Sequence, residues 1–171
     1  MRLITLTTDF GLADAYVGEV KGVIHSIAPA ATIVDISHEV PPQAIEEGAF
    51  VLAAAWRYFP VGTVHVAVVD PGVGTERAAI AVVTEQAVFV GPDNGVLSAA
   101  LPEEARKRAG AGPRRVALPR GTAAFLLTNE RFQRQPVSAT FHGRDIFAPA
   151  AAHIASGVRP EEMGPRATEV T

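Results

Sequence analysis

Four residues carry side chains whose chemistry could serve a reaction: Asp9, Asp70, Arg77 and His142. A carboxylate can accept hydrogen bonds from hydroxyl groups or take up a proton, and a guanidinium can hold a carboxylate through two parallel contacts. An imidazole can gain or lose a proton near neutral pH. Together these groups would suit the binding of a polar ligand and the activation of a nucleophile such as water.

Each candidate also has a purely structural interpretation. Asp9 and Asp70 precede glycine-containing turns, which aspartate side chains commonly cap. A lone histidine is more often structural than catalytic. His142 is the strongest histidine candidate because Gly143 and the ionic pair Arg144-Asp145 follow it directly.

Several common enzyme classes are excluded by missing motifs. The sequence holds neither HxH nor HExxH spacing, so we expect no metal site. The loop after Asp70 lacks the Gly-Lys-Ser/Thr of a phosphate-binding loop. Asp9-Phe10-Gly11 repeats three letters of a kinase motif, but the other kinase motifs are missing.

The elements that must position these residues follow from apolar periodicity. Val17, Val20, Ile24 and Ile27 recur at helical spacing, whereas Thr63–Val69 is almost continuously apolar, as in a strand buried on both faces. The predicted strands are Leu3–Thr7, Thr32–Ile36, Thr63–Val69, a hairpin of Ile80–Thr84 with Ala87–Val90, and Val116–Leu118. The predicted helices are Ala13–Ile27, Gln43–Tyr58, Asn94–Leu101 and Gly143–Ser156, with Gly157 as the C-cap.

The alternation of strands and helices predicts an α/β fold: a central, mostly parallel sheet flanked by helices on both faces, a three-layer sandwich. Ligands of such sheets bind outside the carboxyl ends of the strands. Polar, glycine-rich clusters follow three predicted strands, and a fourth opens the last helix. Besides the four residues above, these clusters make the following residues candidates for substrate binding: Asp14, Thr75, Asp93, Asn94 and Gly143.

Composition limits the partners and the compartment. The net charge of −3 leaves no basic surplus for nucleic acid, and no apolar stretch approaches the 18 residues of a membrane span. The absence of cysteine excludes thiolate catalysis and disulfides. The N-terminus lacks the pattern of a signal peptide, so we expect a cytoplasmic protein.

Three segments are less regular. Residues 103–115 are basic and rich in Ala and Gly, which indicates an exposed helix end and loop, and residues 125–129 are ambiguous. Residues 1–162 are predicted to form one catalytic domain. Residues 163–171 are polar and contain Gly and Pro, so they are predicted to start a linker.

Six motifs in one order, spread from residue 3 to about residue 165, resemble the S-adenosylmethionine hydroxide adenosyltransferases, relatives of the fluorinase and chlorinase halogenases. The motifs are Thr7-Thr8-Asp9-Phe10-Gly11, Val34-Asp35-Ile36-Ser37-His38, Glu46-Glu47-Gly48-Ala49, Val69-Asp70-Pro71-Gly72-Val73-Gly74-Thr75, Gly91-Pro92-Asp93-Asn94-Gly95 and Thr140-Phe141-His142-Gly143-Arg144-Asp145-Ile146-Phe147-Ala148-Pro149.

The resemblance implies that Asp70, Arg77 and His142 form the triad with which these enzymes hold and activate water, and that Asp9 binds the ribose. It implies hydrolysis of S-adenosyl-L-methionine to adenosine and methionine without a metal or organic cofactor. It also implies a homotrimer, and a second β-domain after this one that supplies part of the adenine pocket. Nothing after Met163 could build that domain.

Three alternatives remain open from the sequence. The same pocket could serve a non-catalytic domain that binds adenosine or S-adenosylmethionine. A halogenase-like transfer is disfavoured because the Asp70 carboxylate would repel a halide, where the halogenases have a tyrosine. A purely structural, trimer-forming subunit would bind no ligand at all.

Overall fold

The computed structural model describes residues 3–102 and 114–171 of the chain. Three α-helices within these residues position the site: α1 (Tyr16–Ile27), α2 (Ile45–Ala55) and α3 (Ala148–Ala155). The strands are β1 (Leu3–Thr8), β2 (Thr32–Ser37), β3 (Thr63–Val68), β4 (Ala79–Val83), β5 (Ala87–Pro92), β6 (Val116–Ala117), β7 (Ala123–Leu126), β8 (Arg166–Ala167) and β9 (Glu169–Val170).

Seven strands form one sheet in the order β2-β1-β3-β5-β4-β7-β8. The first four pair in parallel, and the remaining pairs are antiparallel. Strands β2, β1, β3, β5 and β7 therefore run in one direction and β4 and β8 in the other. The carboxyl ends of the parallel strands and the start of β4 consequently meet at the same edge of the sheet.

Helices cover both faces of this sheet, so its central strands are buried on both sides. Alternate residues of β3 divide between two hydrophobic cores. Val64, Val66 and Val68 pack with α1 and α3, whereas Ala67 and Val69 pack with α2 and its neighbouring turns. The predicted three-layer α/β sandwich is confirmed.

Two helices are shorter than predicted. Each begins later than expected, at the N-terminal end that faces the carboxyl edge of the sheet. Helix α1 begins at Tyr16 rather than Ala13, and α2 begins at Ile45 rather than Gln43. Gln43 has φ +66°, which is incompatible with a right-handed helix. A 3₁₀ turn over Trp56–Tyr58 completes the second predicted helix.

Other segments differ in detail. The expected helix at 94–101 is a 3₁₀ turn over Val96–Ala100, and the ambiguous segment at 125–129 belongs partly to β7. The last helix begins with a π turn over Gly143–Phe147, continues as α3, and is followed by Gly157 at φ +106°, as predicted for a C-cap residue. Most of the predicted exposed loop, residues 103–113, lies outside the described residues.

The end of the chain differs from the expected linker. Strand β8 pairs with β7 at the edge of the sheet, and β9 pairs with β6 in a separate two-stranded ribbon. Met163 and Val170 are almost completely buried. Their apolar side chains fill the two hydrophobic cores, which accounts for the order of a segment whose composition alone suggests a linker.

Candidate active site

A cavity of about 320 Å³ lies at the carboxyl edge of the sheet, between the segments that follow β1 and β3. Strand β1 has β2 on one side and β3 on the other, and the two connecting helices cover opposite faces. The chain order therefore reverses at β1, which is where open α/β sheets bind their ligands. The cavity is lined by Asp9, Phe10, Pro42, Gln43, Val68, Asp70, Pro71, Val73, Thr140, Phe141, His142 and Gly143.

Asp70 and His142 line this cavity and Arg77 contacts both of them, so the three predicted residues lie together. Arg77 Nε donates to Asp70 Oδ1 at 2.9 Å and to Oδ2 at 3.0 Å, and its Nη2 donates to Asp70 Oδ2. The same Nη2 lies 2.7 Å from His142 Nδ1. The side chains of Asp70 and Arg77 are only 5% and 11% exposed, so the pair is shielded from solvent. Such a charge-assisted pair has a fixed geometry.

The contact with Arg77 determines the state of His142. A guanidinium has only donors, so His142 Nδ1 must accept, and the ring of a neutral His142 carries its proton on Nε2. Burial and, secondly, the charge of Arg77 lower the pKa of His142, while Asp70 and Asp145 act in the opposite direction. The lowered pKa and the contact with Arg77 both favour a neutral His142 imidazole that presents an Nε2–H donor.

The antiparallel strand β4 explains how Arg77 reaches the site. Asp70 follows β3, and the chain turns back through a short loop so that Arg77 precedes β4 at the same edge. Gly74 within this loop has φ +77°, and a Cβ there would lie 2.3 Å from the carbonyl oxygen of Ala139. The loop therefore packs directly against the segment that leads to His142.

A buried carboxylate, Asp145, stabilises the turn that follows His142. His142 precedes the π turn, and Asp145 within that turn is completely buried. Asp145 accepts hydrogen bonds from Arg144 at 2.7 and 2.9 Å and from the backbone N–H of Ser138 at 2.9 Å. Burial raises the pKa of Asp145, but these bonds outweigh it and hold that pKa below its ordinary value. The ionised side chain ties the π turn to residues 138–140.

Asp9 also lines the cavity. Its Oδ2 accepts the backbone N–H of Gln43 at 2.8 Å, and this contact joins the loop after β1 to the segment before α2. One hydrogen bond uses a fraction of the accepting capacity of a carboxylate. Asp9 can therefore also receive hydroxyl hydrogens of a ligand.

Aromatic side chains form an apolar wall that the sequence did not assign. The rings of Phe10 and Phe141 meet edge to face at 5.6 Å, and Tyr16 meets Phe141 at 5.2 Å. A Cβ at Gly143 would lie 2.9 Å from the Phe10 ring, so a larger residue there would displace this ring. Both phenylalanines stand inside quoted motifs, which was the available signal for finding them.

The remaining candidates do not line the cavity. Asp14 is exposed, and the hydroxyl of Thr75 donates to Gly72 within the 70–77 loop. Asp93 Oδ1 accepts the backbone N–H of Thr171 at 2.7 Å. Asn94 donates to the carbonyl of Val69 and accepts from Val96, which joins the ends of β3 and β5. Gly143 alone of the five additional candidates borders the cavity.

Among the residues that the structure describes, His, Asp and Glu side chains form no group of three or more that could hold a metal ion. In residues 3–102 and 114–171, no helix is long and apolar enough to cross a membrane.

The fold and the cavity define a doubly wound α/β domain with an Asp-Arg-His cluster at the switch point of its sheet. Comparison with protein families then places the chain. Residues 4–164 match the model of the SAM hydroxide adenosyltransferase N-terminal domain. The chain belongs to this family, which confirms the resemblance of its six motifs.

Two relatives show how similar the chain is to individual proteins. The chain is 46% identical over 162 residues to an (R)-S-adenosyl-L-methionine hydrolase of Salinispora arenicola, covering 95% of this chain and 56% of that protein. It is 26% identical over 185 residues to a fluorinase of an Actinoplanes species, covering 95% and 57%.

A crystal structure of an uncharacterized conserved protein from Thermotoga maritima superposes with a TM-score of 0.83 at 40% identity, covering 99% of this chain and 60% of that one. The chain thus spans between half and two thirds of the length of these proteins.

Proposed function

We propose that this chain is the N-terminal, catalytic domain of an enzyme that hydrolyses S-adenosyl-L-methionine to adenosine and L-methionine. The observation that carries the proposal is that Asp70 and His142 line one cavity together with Asp9, while Arg77 contacts both Asp70 and His142. The names of relatives at 41–46% identity, all (R)-S-adenosyl-L-methionine hydrolases, support the same substrate.

The proposed reaction explains why so few groups suffice. A sulfonium leaves as a neutral thioether when its bond to C5′ breaks, so the leaving group needs neither a general acid nor a metal. The difficult component is the nucleophile, because neutral water is weak. A positioned base typically accelerates such a step by about 10²–10⁴-fold. In this proposal no metal or organic cofactor takes part.

The roles of the triad follow from its hydrogen bonds. Arg77 donates to His142 Nδ1, so that nitrogen is not free to take the proton of water. The Arg77 guanidinium itself has no acceptor atom and cannot take it either. We assign proton acceptance to the Asp70 carboxylate, which Arg77 holds in place. The His142 Nε2–H would then donate to the water oxygen. The oxygen lone pair attacks C5′, the C5′–S electrons go to sulfur, and the water proton goes to Asp70.

Asp70 also argues for water over a halide as the nucleophile. The Asp70 side chain is only 5% exposed and solvent screens little inside a cavity, so its carboxylate disfavours an entering anion, with Arg77 offsetting part of this repulsion. The same carboxylate is a good acceptor for water. The fluorinase similarity, at 25–28% identity, therefore extends to the scaffold rather than to the nucleophile in this proposal.

Incubation with S-adenosylmethionine in ¹⁸O-labelled water, followed by chromatography and mass spectrometry, tests the proposal. We expect adenosine that carries one labelled oxygen, with unlabelled methionine. Binding of adenosine without turnover would instead support a non-catalytic binding domain. Formation of 5′-halo-5′-deoxyadenosine on addition of fluoride or chloride would favour the halogenase alternative.

We further propose the (R) sulfonium epimer as the substrate, a cytoplasmic location and a homotrimeric state. The epimer follows the names of the relatives, and the lack of cysteine suits a reducing compartment. The trimer rests on the family resemblance. Separate incubations with the two epimers test the first, and light scattering after gel filtration tests the last.

A further inference from the structure

A second histidine-centred cluster lies behind the Asp9 side of the cavity, outside the triad. We call it the Thr8 network, consisting of Thr8, His38, Asp35 and Lys21. Thr8 Oγ1 lies 2.8 Å from His38 Nδ1, and His38 Nε2 lies 3.1 Å from Asp35 Oδ1. Lys21 Nζ donates to Asp35 Oδ2 at 2.6 Å. The network thus runs from the end of β1 through β2 to α1.

The direction of each contact can be assigned. Burial raises the pKa of Asp35, but the neighbouring Lys21 and His38 outweigh it and hold that pKa below its ordinary value. His38 Nε2 lies 3.1 Å from this carboxylate as an ion-pair contact without hydrogen-bond geometry. Because an ionised carboxylate only accepts, this contact places a ring proton of His38 on Nε2. Nδ1 then serves as the acceptor for the hydroxyl of Thr8, and Thr8 Oγ1 in turn accepts the backbone N–H of Phe10 at 3.3 Å.

The arrangement has the composition of a nucleophile triad, but burial excludes that role. Thr8 is only 1% exposed and does not line the cavity. Its oxygen cannot reach a substrate that occupies the cavity. The network must therefore act on what surrounds it rather than on a reacting atom.

What surrounds the network is the wall of the cavity. Asp9 and Phe10, which follow Thr8 directly, both line it. Backbone bonds add to the connection: Gly11 N–H donates to the carbonyl of His38 at 2.8 Å, and Val40 N–H donates to that of Thr8 at 3.4 Å. The pairing of β1 with β2 skips Ile36 just before this point. Such irregularities commonly redirect side chains beside active sites.

We propose that His38 and Thr8 are positioning residues that fix the Asp9-Phe10 segment in the geometry required for nucleoside binding. This inference rests on the proposed function, because it assigns that segment to the nucleoside. A positioning role predicts a loss of binding with little loss of turnover. The triad, by contrast, predicts a loss of turnover.

The sequence offers a matched set of variants. Thr8→Val removes the hydroxyl at almost constant shape, and Thr8→Ser keeps it. His38→Asn retains a side-chain oxygen that can accept from Thr8. Thr5→Val is the control, because Thr5 makes a second buried threonine–histidine hydrogen bond on the same strand, at 2.7 Å to His65, away from the cavity.

For each variant, binding and kinetics give the Kd of adenosine and the KM and kcat for S-adenosylmethionine. Hydrogen exchange gives the exchange rate of the Phe10 amide. For Thr8→Val we expect Kd and KM to rise about tenfold, as for the loss of one buried hydrogen bond, with kcat within about twofold. The Phe10 amide should exchange faster. Thr8→Ser and Thr5→Val should remain closer to the unchanged protein, whereas His38→Asn, which removes the contact with Asp35, should weaken adenosine binding.

The outcomes separate the inference from the proposed function. Unchanged Phe10 exchange in Thr8→Val overturns the inference, as does unchanged adenosine affinity in a protein that binds adenosine. An equal loss of affinity in Thr5→Val would show general destabilisation and overturn it too. If the unchanged protein neither binds adenosine nor forms it, the proposed function fails, and with it the nucleoside-positioning role.

Discussion

Two threonine–histidine pairs on strand β1 have nearly the same geometry but stand in different surroundings. Thr5 and His65 meet at 2.7 Å in the middle of the sheet, and Thr8 and His38 meet at 2.8 Å at its carboxyl edge. His65 stacks on Phe89 at 5.1 Å with Trp56 and Phe59 at its edges. His38 instead has a carboxylate, Asp35, beside its second nitrogen.

The difference shows how one residue pair can serve stability or site geometry. Burial among aromatic rings lowers the pKa of His65 to about 4, because no charged partner compensates the lost hydration of an imidazolium. Its ring therefore acts as a neutral part of the core. His38 continues a set of polar contacts that ends at the cavity. Polar groups at the carboxyl edge should thus affect function, whereas those at mid-sheet should affect stability.

The largest expected effect concerns Asp70 at the carboxyl edge. Asp70→Asn keeps the shape but removes the proton acceptor, so we expect turnover of S-adenosylmethionine to fall by about 10²–10⁴-fold with a smaller change in adenosine affinity. Steady-state kinetics and a binding titration measure the two quantities. Glu85→Gln, the same chemical change in the exposed β4–β5 turn, is the control. Normal turnover of Asp70→Asn would show that the triad is wrongly assigned.

The second prediction concerns His65 at mid-sheet and its effect on stability. The folded-state pKa of about 4 lies below the ordinary value of 6.5, so the unfolded chain takes up the proton first as the pH falls. This contribution of His65 to the free energy of unfolding should be fully present above pH 6.5 and fall by roughly 3 kcal/mol by about pH 4. Urea unfolding at a series of pH values measures this loss.

A histidine-free variant isolates that contribution. His65→Asn keeps an uncharged acceptor for Thr5 and has no titrating ring, so its free energy of unfolding should decline less over the same pH range. Because ring volume is lost, its stability at pH 7 will also be lower. Parallel pH curves for the two proteins would contradict the assignment of the acid sensitivity to His65.

The smallest expected effect concerns Asp9. Asp9→Ala removes the acceptor that we assign to the ribose hydroxyls, so the Kd of adenosine should rise about tenfold. Isothermal titration measures it. A defect in kcat alone, with unchanged binding, would argue against the ribose role and would weaken the contrast between the two sides of the cavity.

The sequence predicted the sheet better than the helix ends. Strands β1 and β3 are buried along almost their whole length, and the apolar residues of the local sequence record that burial. The start of α2 depends instead on Gln43, whose left-handed backbone is fixed by a contact with Asp9 from a distant part of the chain. Local patterns carry no information on such contacts.

The site was predictable to a similar extent. The motifs contain Asp9, Asp70 and His142, the family resemblance added Arg77, and the structure brings all four to the edge where the strands end. The same kind of motif suggested Asp93 and Asn94, but their side chains join strand ends and the terminal segment. A polar residue beside a glycine can bind a ligand or its own backbone, and the sequence does not distinguish the two.

The π turn at residues 143–147 has a consequence for insertions and deletions. It accommodates one residue more than an α-helical turn, so removing a residue there would convert it into regular helix. His142 would keep its orientation relative to α3, because a π turn takes up its extra residue within the turn itself. Removing a residue from α3 would instead rotate the segment before it by about 100° about the helix axis relative to the residues after it. The π turn should therefore tolerate the loss of one residue better than α3 does.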